Sequence, residues 1–248
     1  LTTSIAALEA LKANGLPGPA ACLGHSLGEY TALVAAEAMS FDTALKLVRK
    51  RGLFMREAGA SVGGAMAAVI GADDDALKAL IDEVRGDRVL VAANYNAPDQ
   101  TVISGEQSAV SDAGAAINDR GLGRYMPLRV SGAFHSSLMA PAADKMAAEL
   151  DAADISDAAV PVVPNATAEP TTNAGVIRKA LKDQITASVL WTDSVRKLRP
   201  LSCEAAVEIG ARNVLGGMVN KIDPNLPTHT IHDADSLKGC LDDLGVAP

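Results

Sequence analysis

Apolar residues recur along the chain with two spacings, one typical of amphipathic helices and one typical of buried strands. The first segment shows the helical spacing, because Ile5, Leu8 and Leu11 fall on one face. Helical patterns cover residues 1–15, 31–39, 41–58, 73–85, 106–120, 138–151, 172–187, 212–222 and 235–244. Short apolar runs predict strands at residues 19–23, 64–70, 89–96, 101–105, 124–130, 159–164, 204–209 and 228–233. Helices alternating with buried strands predict an α/β fold.

The middle of the chain has its own order of elements. Residues 64–130 are predicted as β-α-β-β-α-β, the order of the split-βαβ or ferredoxin-like unit. Helices and buried strands resume afterwards, which indicates that this unit is inserted into a larger domain. We therefore expect a large α/β domain formed by residues 1–61 and 132–248, and a small ferredoxin-like domain formed by residues 62–131.

Composition narrows the class of protein. With 48% hydrophobic but only 3% aromatic residues, the core must consist of small aliphatic side chains, which suits helices packed over a parallel sheet. A net charge of −8 argues against a general nucleic-acid binder. The three cysteines, Cys22, Cys203 and Cys240, are widely spaced, which favours reduced thiols and a cytoplasmic protein over a metal site. No apolar run reaches the length of a membrane-spanning helix.

The stretch GHSLGEY, residues 24–30, places a serine between a predicted strand and a predicted helix. Ser26 lies between Gly24 and Gly28, in the G-x-S-x-G pattern of a nucleophile elbow. Glycine tolerates the crowding that such a turn imposes. The N–H of Leu27 would lie at a helix N-terminus, where it suits a developing oxyanion. We therefore predict an α/β-hydrolase-like parallel-sheet domain in which Ser26 is a covalent nucleophile.

A serine hydroxyl needs a base to take its proton, and the chain has four histidines. His135 follows a predicted strand, and loops at the carboxyl ends of strands line the ligand crevice of α/β folds. His232 is the alternative, since a serine hydrolase places an acid and then a late histidine after its serine. His25 is expected to be structural and His229 to be a surface residue. The residues alone leave both His135 and His232 open as the base.

Arg51 lies on a largely small and apolar helix face, in the stretch KRGLFM. It is either a solvated surface charge or a bidentate clamp for a substrate carboxylate. A plain esterase does not need such a clamp, whereas an enzyme that carries an acyl group ending in a carboxylate does. Arg51 therefore favours an acyltransferase over a hydrolase.

Several stretches occur in order over nearly the whole chain: GHSLGEYTALVAAEAMSFDTALKLVRKRGLFM, GAMAAVIG, NYNAPDQTVISG, PLRVSGAFHSSLMAPAADKM, VPVVPNATAEP and SVLWTDSVRKL. With them the chain resembles the malonyl-CoA:acyl carrier protein transacylases of bacterial fatty acid synthesis and, more distantly, the acyltransferase domains of polyketide synthases. The resemblance implies transfer of malonyl from malonyl-CoA to the phosphopantetheine thiol of acyl carrier protein. It implies a malonyl-serine intermediate, ping-pong kinetics and no cofactor or metal.

The resemblance also implies a role for each matching residue. Ser26 would be acylated, His135 would be the base, and Arg51 would bind the malonyl carboxylate. Gln184 would orient His135 through its backbone carbonyl, with Asn165 nearby, so that the serine and histidine form a dyad without a carboxylate. Further substrate-binding positions would be Leu27, which offers an oxyanion N–H, Met55, Asn94, Asn96 and Phe134, whose ring would exclude an α-methyl group.

One departure from the family stands out. Its FPGQG-like segment, which supplies a second oxyanion N–H, has no counterpart here, and the chain begins abruptly at Leu1. We expect that residues preceding Leu1 are missing. An inactive truncated chain therefore remains an alternative to the transferase, as does a serine hydrolase or thioesterase on the same elbow.

Acyl carrier proteins are strongly acidic, whereas this chain itself has a net charge of −8. Docking would then depend on a local basic patch. Candidates are Arg124 and Arg129, close in sequence to the crevice strand, and Lys50. The alternative is that all three are scattered, solvated charges. Neither a nucleic acid nor a membrane is expected as a partner.

Overall fold

The computed structural model describes residues 1–246, and within them the chain forms ten α-helices and six β-strands. The helices are α1 (Thr2–Ala13), α2 (Gly28–Ala35), α3 (Phe41–Val62), α4 (Asp74–Arg85), α5 (Gln107–Asp119), α6 (Ala140–Ala152), α7 (Ala174–Asp183), α8 (Trp191–Arg196), α9 (Leu215–Ile222) and α10 (Ala234–Asp243). The strands are β1 (Gly64–Ile70), β2 (Leu90–Ala97), β3 (Gln100–Glu106), β4 (Arg124–Pro127), β5 (Ala206–Ile209) and β6 (Thr228–Ile231).

Strands β1 to β4 form an antiparallel sheet in the order β2-β3-β1-β4. The register pairs Ala67 of β1 with Ile103 of β3 on one side and with Pro127 of β4 on the other. Helices α4 and α5 share a hydrophobic core with this sheet, to which they contribute Leu80 and Val110. The element order and strand order are those of the predicted ferredoxin-like unit. Its exact boundaries, residues 62–131, stay a prediction.

Outside the antiparallel sheet, the chain contains the parallel strand pairing that we expect of an α/β domain. Strand β5 pairs in parallel with β6, from Ala206 opposite Thr228 onwards. The strands predicted over residues 19–23 and 159–164 are wrong in extent. In their place Val162 forms an isolated antiparallel bridge with Thr171 and an isolated parallel bridge with Cys22. Prolines on both sides of that bridge lack the N–H needed to extend a ladder. The predicted α/β fold class is confirmed.

The main hydrophobic core lies between α2, α3, α6 and α7. Helix α3 is capped at its start by Ser40, whose hydroxyl accepts a hydrogen bond from the N–H of Thr43, and at its end by Gly63, which has a left-handed φ of 63°. Its buried face consists of Ala44, Leu47, Arg51, Met55, Ala58 and Gly59. Helical spacing therefore turns Arg51 into the molecule, together with the apolar residues one turn before and after it.

Several predicted boundaries shift for local reasons. Helix α7 begins after Asn173, whose side chain caps it by accepting from the N–H of Val176, and it ends at Asp183 rather than at 187. Helix α9 begins at Leu215 rather than at 212. A 3₁₀ turn over Ser137–Met139 replaces the start of the helix predicted at 138–151. Helix α8 was not predicted. Within residues 1–246, none of the helices combines the length and apolar character needed to cross a membrane.

Candidate active site

Ser26 lies at a sharp turn between the Cys22 bridge and the start of α2. Its φ of 51° is left-handed, a strained backbone conformation for a residue with a side chain. Gly24 makes the turn possible, because a Cβ there would lie 2.0 Å from the carbonyl oxygen of Gly28. At Gly28 a Cβ would meet nothing within 4 Å. Only the first glycine of the elbow pattern is therefore required by packing.

His135 meets the serine hydroxyl. Its Nε2 lies 2.9 Å from Ser26 Oγ, and its Nδ1 lies 2.9 Å from the backbone carbonyl oxygen of Gln184. Since a carbonyl can only accept, Nδ1 carries the proton and Nε2 is free to accept the hydroxyl proton. Burial, reinforced by nearby Arg51, lowers the pKa of His135 to about 4. The histidine is therefore neutral, as a base must be, at physiological pH.

Arg51 also forms a hydrogen bond with the Ser26 hydroxyl. Its Nη2 donates to Ser26 Oγ and to the side-chain oxygen of Gln184, each at 3.0 Å. The guanidinium is buried, and its Nε has no hydrogen-bond partner among residues 1–246. Burial lowers the pKa of this arginine. A buried cation with an unused N–H is suited to receive an anion at this position.

The side chains of Asn165 and Gln184 form hydrogen bonds with the backbone of the elbow. The side chain of Asn165 accepts from the N–H of Ser26 at 2.6 Å and donates to the carbonyl of Gly24 at 2.8 Å. The amide nitrogen of Gln184 donates to the Ser26 carbonyl at 2.9 Å. Gln184 thus contacts the serine, the histidine and the arginine. The expectation that Asn165 lies near the histidine stays a prediction; the side-chain hydrogen bonds of Asn165 go to the elbow backbone.

Glu29 belongs to the same network and was not predicted. It lies in the first turn of α2 with a buried carboxylate whose Oε2 accepts from the N–H of Asn165 at 2.9 Å and from the side chain of Gln184 at 2.8 Å. Burial raises its pKa to about 7. A signal was present in the sequence, since an acid within an apolar helix directly after a nucleophile elbow requires a partner.

The other histidines lie elsewhere. His25 bonds through Nε2 to Asn96 Oδ1 at 2.7 Å, and its ring lies 5.5 Å from that of Trp191. His229 and His232 lie near aspartates, at 3.4 Å from Asp243 and Asp233 respectively. The structure thus brings His135, and not His232, to Ser26.

The remaining predicted site residues differ in how far they are buried. Asn94 and Asn96 are buried in β2, and Met55 is buried one turn beyond Arg51 on α3. Phe134, directly before the histidine, is partly buried, and its carbonyl accepts from the hydroxyl of Ser104 at 2.7 Å. Leu27 is 38% exposed, and among residues 1–246 its backbone N–H makes no hydrogen bond.

This arrangement places a neutral imidazole and a guanidinium around one serine hydroxyl oxygen. Arg51 donates to Ser26 Oγ, so the hydroxyl proton points to His135. The third member that a hydrolase triad would require, a carboxylate on Nδ1, is replaced by a backbone carbonyl. Within the described part of the chain, no cluster of three or more His, Cys, Asp or Glu side chains is placed to hold a metal ion.

Sequence comparison identifies the family of the chain. Residues 1–221 match the acyl transferase domain family. The malonyl CoA-acyl carrier protein transacylase of Bacillus subtilis (strain 168) is 44% identical over 245 residues, which are 98% of this chain and 77% of that protein. The protein of the same name from Escherichia coli (strain K12) is 39% identical over 242 residues, which are 98% of this chain and 78% of that protein.

Solved structures give the same result. The crystal structure of malonyl-CoA:acyl carrier protein transacylase from Xanthomonas oryzae pv. oryzae matches with a TM-score of 0.94 at 36% identity, over 97% of this chain and 77% of that one. A malonyl-transacylase in complex with a type II PKS acyl-carrier protein matches with a TM-score of 0.93 at 36% identity, over 97% and 78%. The resemblance noted in the sequence is confirmed, and the chain belongs to the family of malonyl-CoA–acyl carrier protein transacylases, within the acyl transferases.

Proposed function

We propose that this chain transfers the malonyl group from malonyl-CoA to the phosphopantetheine thiol of acyl carrier protein, and so supplies fatty acid elongation. One observation carries the proposal. Ser26 Oγ is contacted by His135 Nε2 at 2.9 Å and by Arg51 Nη2 at 3.0 Å. A nucleophile that meets a base and a cation at the same atom is suited to an acyl group with its own carboxylate.

In the first half-reaction His135 Nε2 takes the Ser26 proton while Oγ forms a bond to the thioester carbon. The oxyanion that develops is stabilised by the free N–H of Leu27 at the start of α2. The carbon–sulfur bond then breaks, and the proton on His135 goes to the departing CoA thiolate. Malonyl is left as an ester on Ser26.

The second half-reaction runs the same steps in reverse with another thiol. His135 takes the proton of the phosphopantetheine thiol, whose sulfur attacks the malonyl-serine ester. The bond from Ser26 Oγ to the acyl carbon breaks, and the serine recovers its proton from His135. Every proton transfer and bond change uses groups of this chain and its two substrates, so the mechanism assigns no step to a cofactor.

Arg51 selects the acyl group in this account. Once Ser26 is acylated, Oγ becomes an ester oxygen and a poor acceptor, so Nη2 is released from it. The malonyl carboxylate, two carbons from the ester carbonyl, takes Nη2 together with the unpartnered Nε. Acetyl offers no such anion.

Two further groups are proposed to shape the pocket. Met55 follows Arg51 by one helical turn and Phe134 precedes His135, so both side chains border the acyl group and limit its α-substituent. Asn94 and Asn96 form its wall from β2, where Asn96 is fixed by His25.

For the carrier protein we propose a docking strip along the sheet edge. Arg124 and Arg129 are exposed and, within residues 1–246, form no ion pair. Between and beside them Met126, Leu128 and Val130 are exposed as well. Two cations with exposed apolar side chains between and beside them suit an acidic protein helix, and the strip leads into the loop that carries His135. Lys50 is a weaker candidate, since it already pairs with Glu149.

We also propose a cytoplasmic location. The support is the chemistry of its cysteines, all three of which are free thiols, as is usual in a reducing compartment.

The clamp is tested by Arg51→Ala, with Arg49→Ala, an exposed arginine of the same helix, as the matched control. We expect Arg51→Ala to lower kcat/KM for malonyl-CoA on the order of a hundredfold, because hydrogen bonds to a charged group are lost. Acylation by acetyl-CoA, followed by intact mass, should change far less, and Arg49→Ala should change neither. Equal losses for both acyl groups would refute the carboxylate clamp.

A further inference from the structure

The buried carboxylate of Glu29 is not used by the mechanism above. It touches neither Ser26 nor His135, yet its Oε2 accepts from Asn165, which holds the elbow, and from Gln184, which holds the base. A carboxylate that is only 4% exposed is costly to bury. Its two hydrogen bonds point to a task within the site.

That task follows from what each group can donate or accept. A guanidinium only donates and an ionised carboxylate only accepts, whereas an amide does both. The side chain of Gln184 lies between Arg51 and Glu29, with its oxygen 3.0 Å from Arg51 Nη2 and its nitrogen 2.8 Å from Glu29 Oε2. If this amide turned over, its NH₂ group would face the donor Nη2. Glu29, together with the Ser26 carbonyl that accepts from the same nitrogen at 2.9 Å, therefore fixes the orientation in which Gln184 can hold Arg51.

The opposite charges of Glu29 and Arg51 also connect the two residues. Arg51 is buried without a carboxylate in contact; burial lowers the pKa of the arginine, and the negative charge of Glu29 opposes that change. Burial likewise raises the pKa of Glu29, and the positive charge of Arg51 opposes that rise. The two charges thus stabilise each other across one amide group.

We infer that Glu29 is a positioning residue, which fixes the amide of Gln184 and through it holds Arg51 ready for the carboxylate of the acyl group. The inference rests on the proposed function, because it concerns the selection of malonyl. It predicts that loss of the Glu29 charge harms malonyl transfer much more than acetyl transfer.

The test is Glu29→Gln, with Glu208→Gln as the matched control. The substituted amide keeps the size of the side chain but loses the charge and can offer an NH₂ group to Gln184. Glu208 also accepts several hydrogen bonds, from the N–H groups of Val214, Leu215 and Gly216, but it makes no contact with the Ser26 network. We expect Glu29→Gln to lower kcat/KM for malonyl-CoA about tenfold and that for acetyl-CoA less than about threefold. Glu208→Gln should leave their ratio unchanged.

A double-mutant cycle tests the route through the amide. Gln184→Met removes the side-chain amide but keeps the backbone carbonyl that His135 uses. If Glu29 acts through Gln184, the malonyl-specific losses of Glu29→Gln and Gln184→Met are not additive. Additive losses, or a malonyl-to-acetyl ratio that Glu29→Gln leaves unchanged, would overturn the inference. A wild-type chain that malonyl-CoA does not acylate would instead overturn the proposed function.

The wild-type protein gives an independent readout if the variants do not fold. Its malonyl-to-acetyl ratio should fall as the pH drops through about 7, where Glu29 gains a proton. The titratable groups that face Glu29 are Arg51 from α3 and Tyr30 beside it, whose pKa is raised by burial, so neither changes charge there. A ratio that stays flat between about pH 5 and 8 would count against Glu29.

Discussion

His135, the proposed base, is held neutral by its surroundings. Removal from water, with Arg51 close by, lowers the pKa of the imidazole from 6.5 to about 4. A backbone carbonyl in place of an aspartate on Nδ1 adds no negative charge that would favour the imidazolium. The proposed base is therefore a weakly basic histidine that can accept a proton at any pH above its lowered pKa.

We expect the acid limb of kcat/KM for acetyl-CoA to fall near pH 4 rather than near 6.5. Acetyl-CoA is the right substrate because its transfer does not depend on the carboxylate clamp. Rates of Ser26 acylation across buffers, followed by intact mass, give the profile. A limb centred between about 6 and 7 would show an unperturbed histidine, and a normal rate in His135→Ala would exclude it as the base.

The same shift has a consequence for stability. The folded-state pKa of His135 lies below the unfolded value, so its neutral form contributes stability that is fully present above 6.5. That contribution is lost as the pH falls towards about 4. Glu29 has the opposite sign, since its folded-state pKa is raised to about 7 and its contribution is lost as the pH rises through that value.

Among the elements, the elbow between the Cys22 bridge and α2 is the one that packing specifies most tightly. A Cβ on Gly24 would lie 2.0 Å from Gly28 O and 2.7 Å from the Glu29 nitrogen, and both are backbone atoms that cannot move aside alone. The strain at Ser26 is thus maintained by a close approach that only glycine allows.

Gly24→Ala should therefore open the turn and displace Ser26, while Gly28→Ala should be tolerated. We expect Gly24→Ala to cost roughly 1–3 kcal/mol of unfolding free energy or more, as for overpacking, and to abolish most acylation. Thermal unfolding and malonyl-CoA acylation of the two variants side by side measure both effects. Similar behaviour of the two alanine variants would contradict this description of the elbow.

Elements with strong local signals could be predicted from the sequence. The short apolar runs and helical patterns of residues 64–130 predict the ferredoxin-like unit, and the Gly-flanked serine predicts the elbow. The strands around Cys22 and Val162 could not be predicted in extent, since pairing depends on neighbours distant in sequence. Glu29 was missed for a related reason, because only the fold brings it to Gln184 and Asn165.

For the whole molecule the main question is how an acidic chain binds an acidic partner. A net charge of −8 repels an acyl carrier protein at long range, so a favourable approach depends on local cations. The proposed docking strip of Arg124, Met126, Leu128, Arg129 and Val130, exposed on β4 and the segment after it, would supply them.

Arg124→Glu combined with Arg129→Glu should raise the KM for acyl carrier protein on the order of tenfold while acylation by malonyl-CoA stays normal. Lys238→Glu, an exposed charge reversal on α10, is the control. The wild-type rate should also fall with added salt. Transfer that neither salt nor the double reversal affects would place the docking surface elsewhere.

The central claim, that Ser26 carries the malonyl group between two thiols, is tested most directly by intact mass. Purified chain is exposed briefly to malonyl-CoA and then to acyl carrier protein. We expect a gain of one malonyl group in wild type, its loss when carrier protein is added, and no gain in Ser26→Ala. No adduct on the wild-type chain, or an adduct that persists in Ser26→Ala, would contradict it.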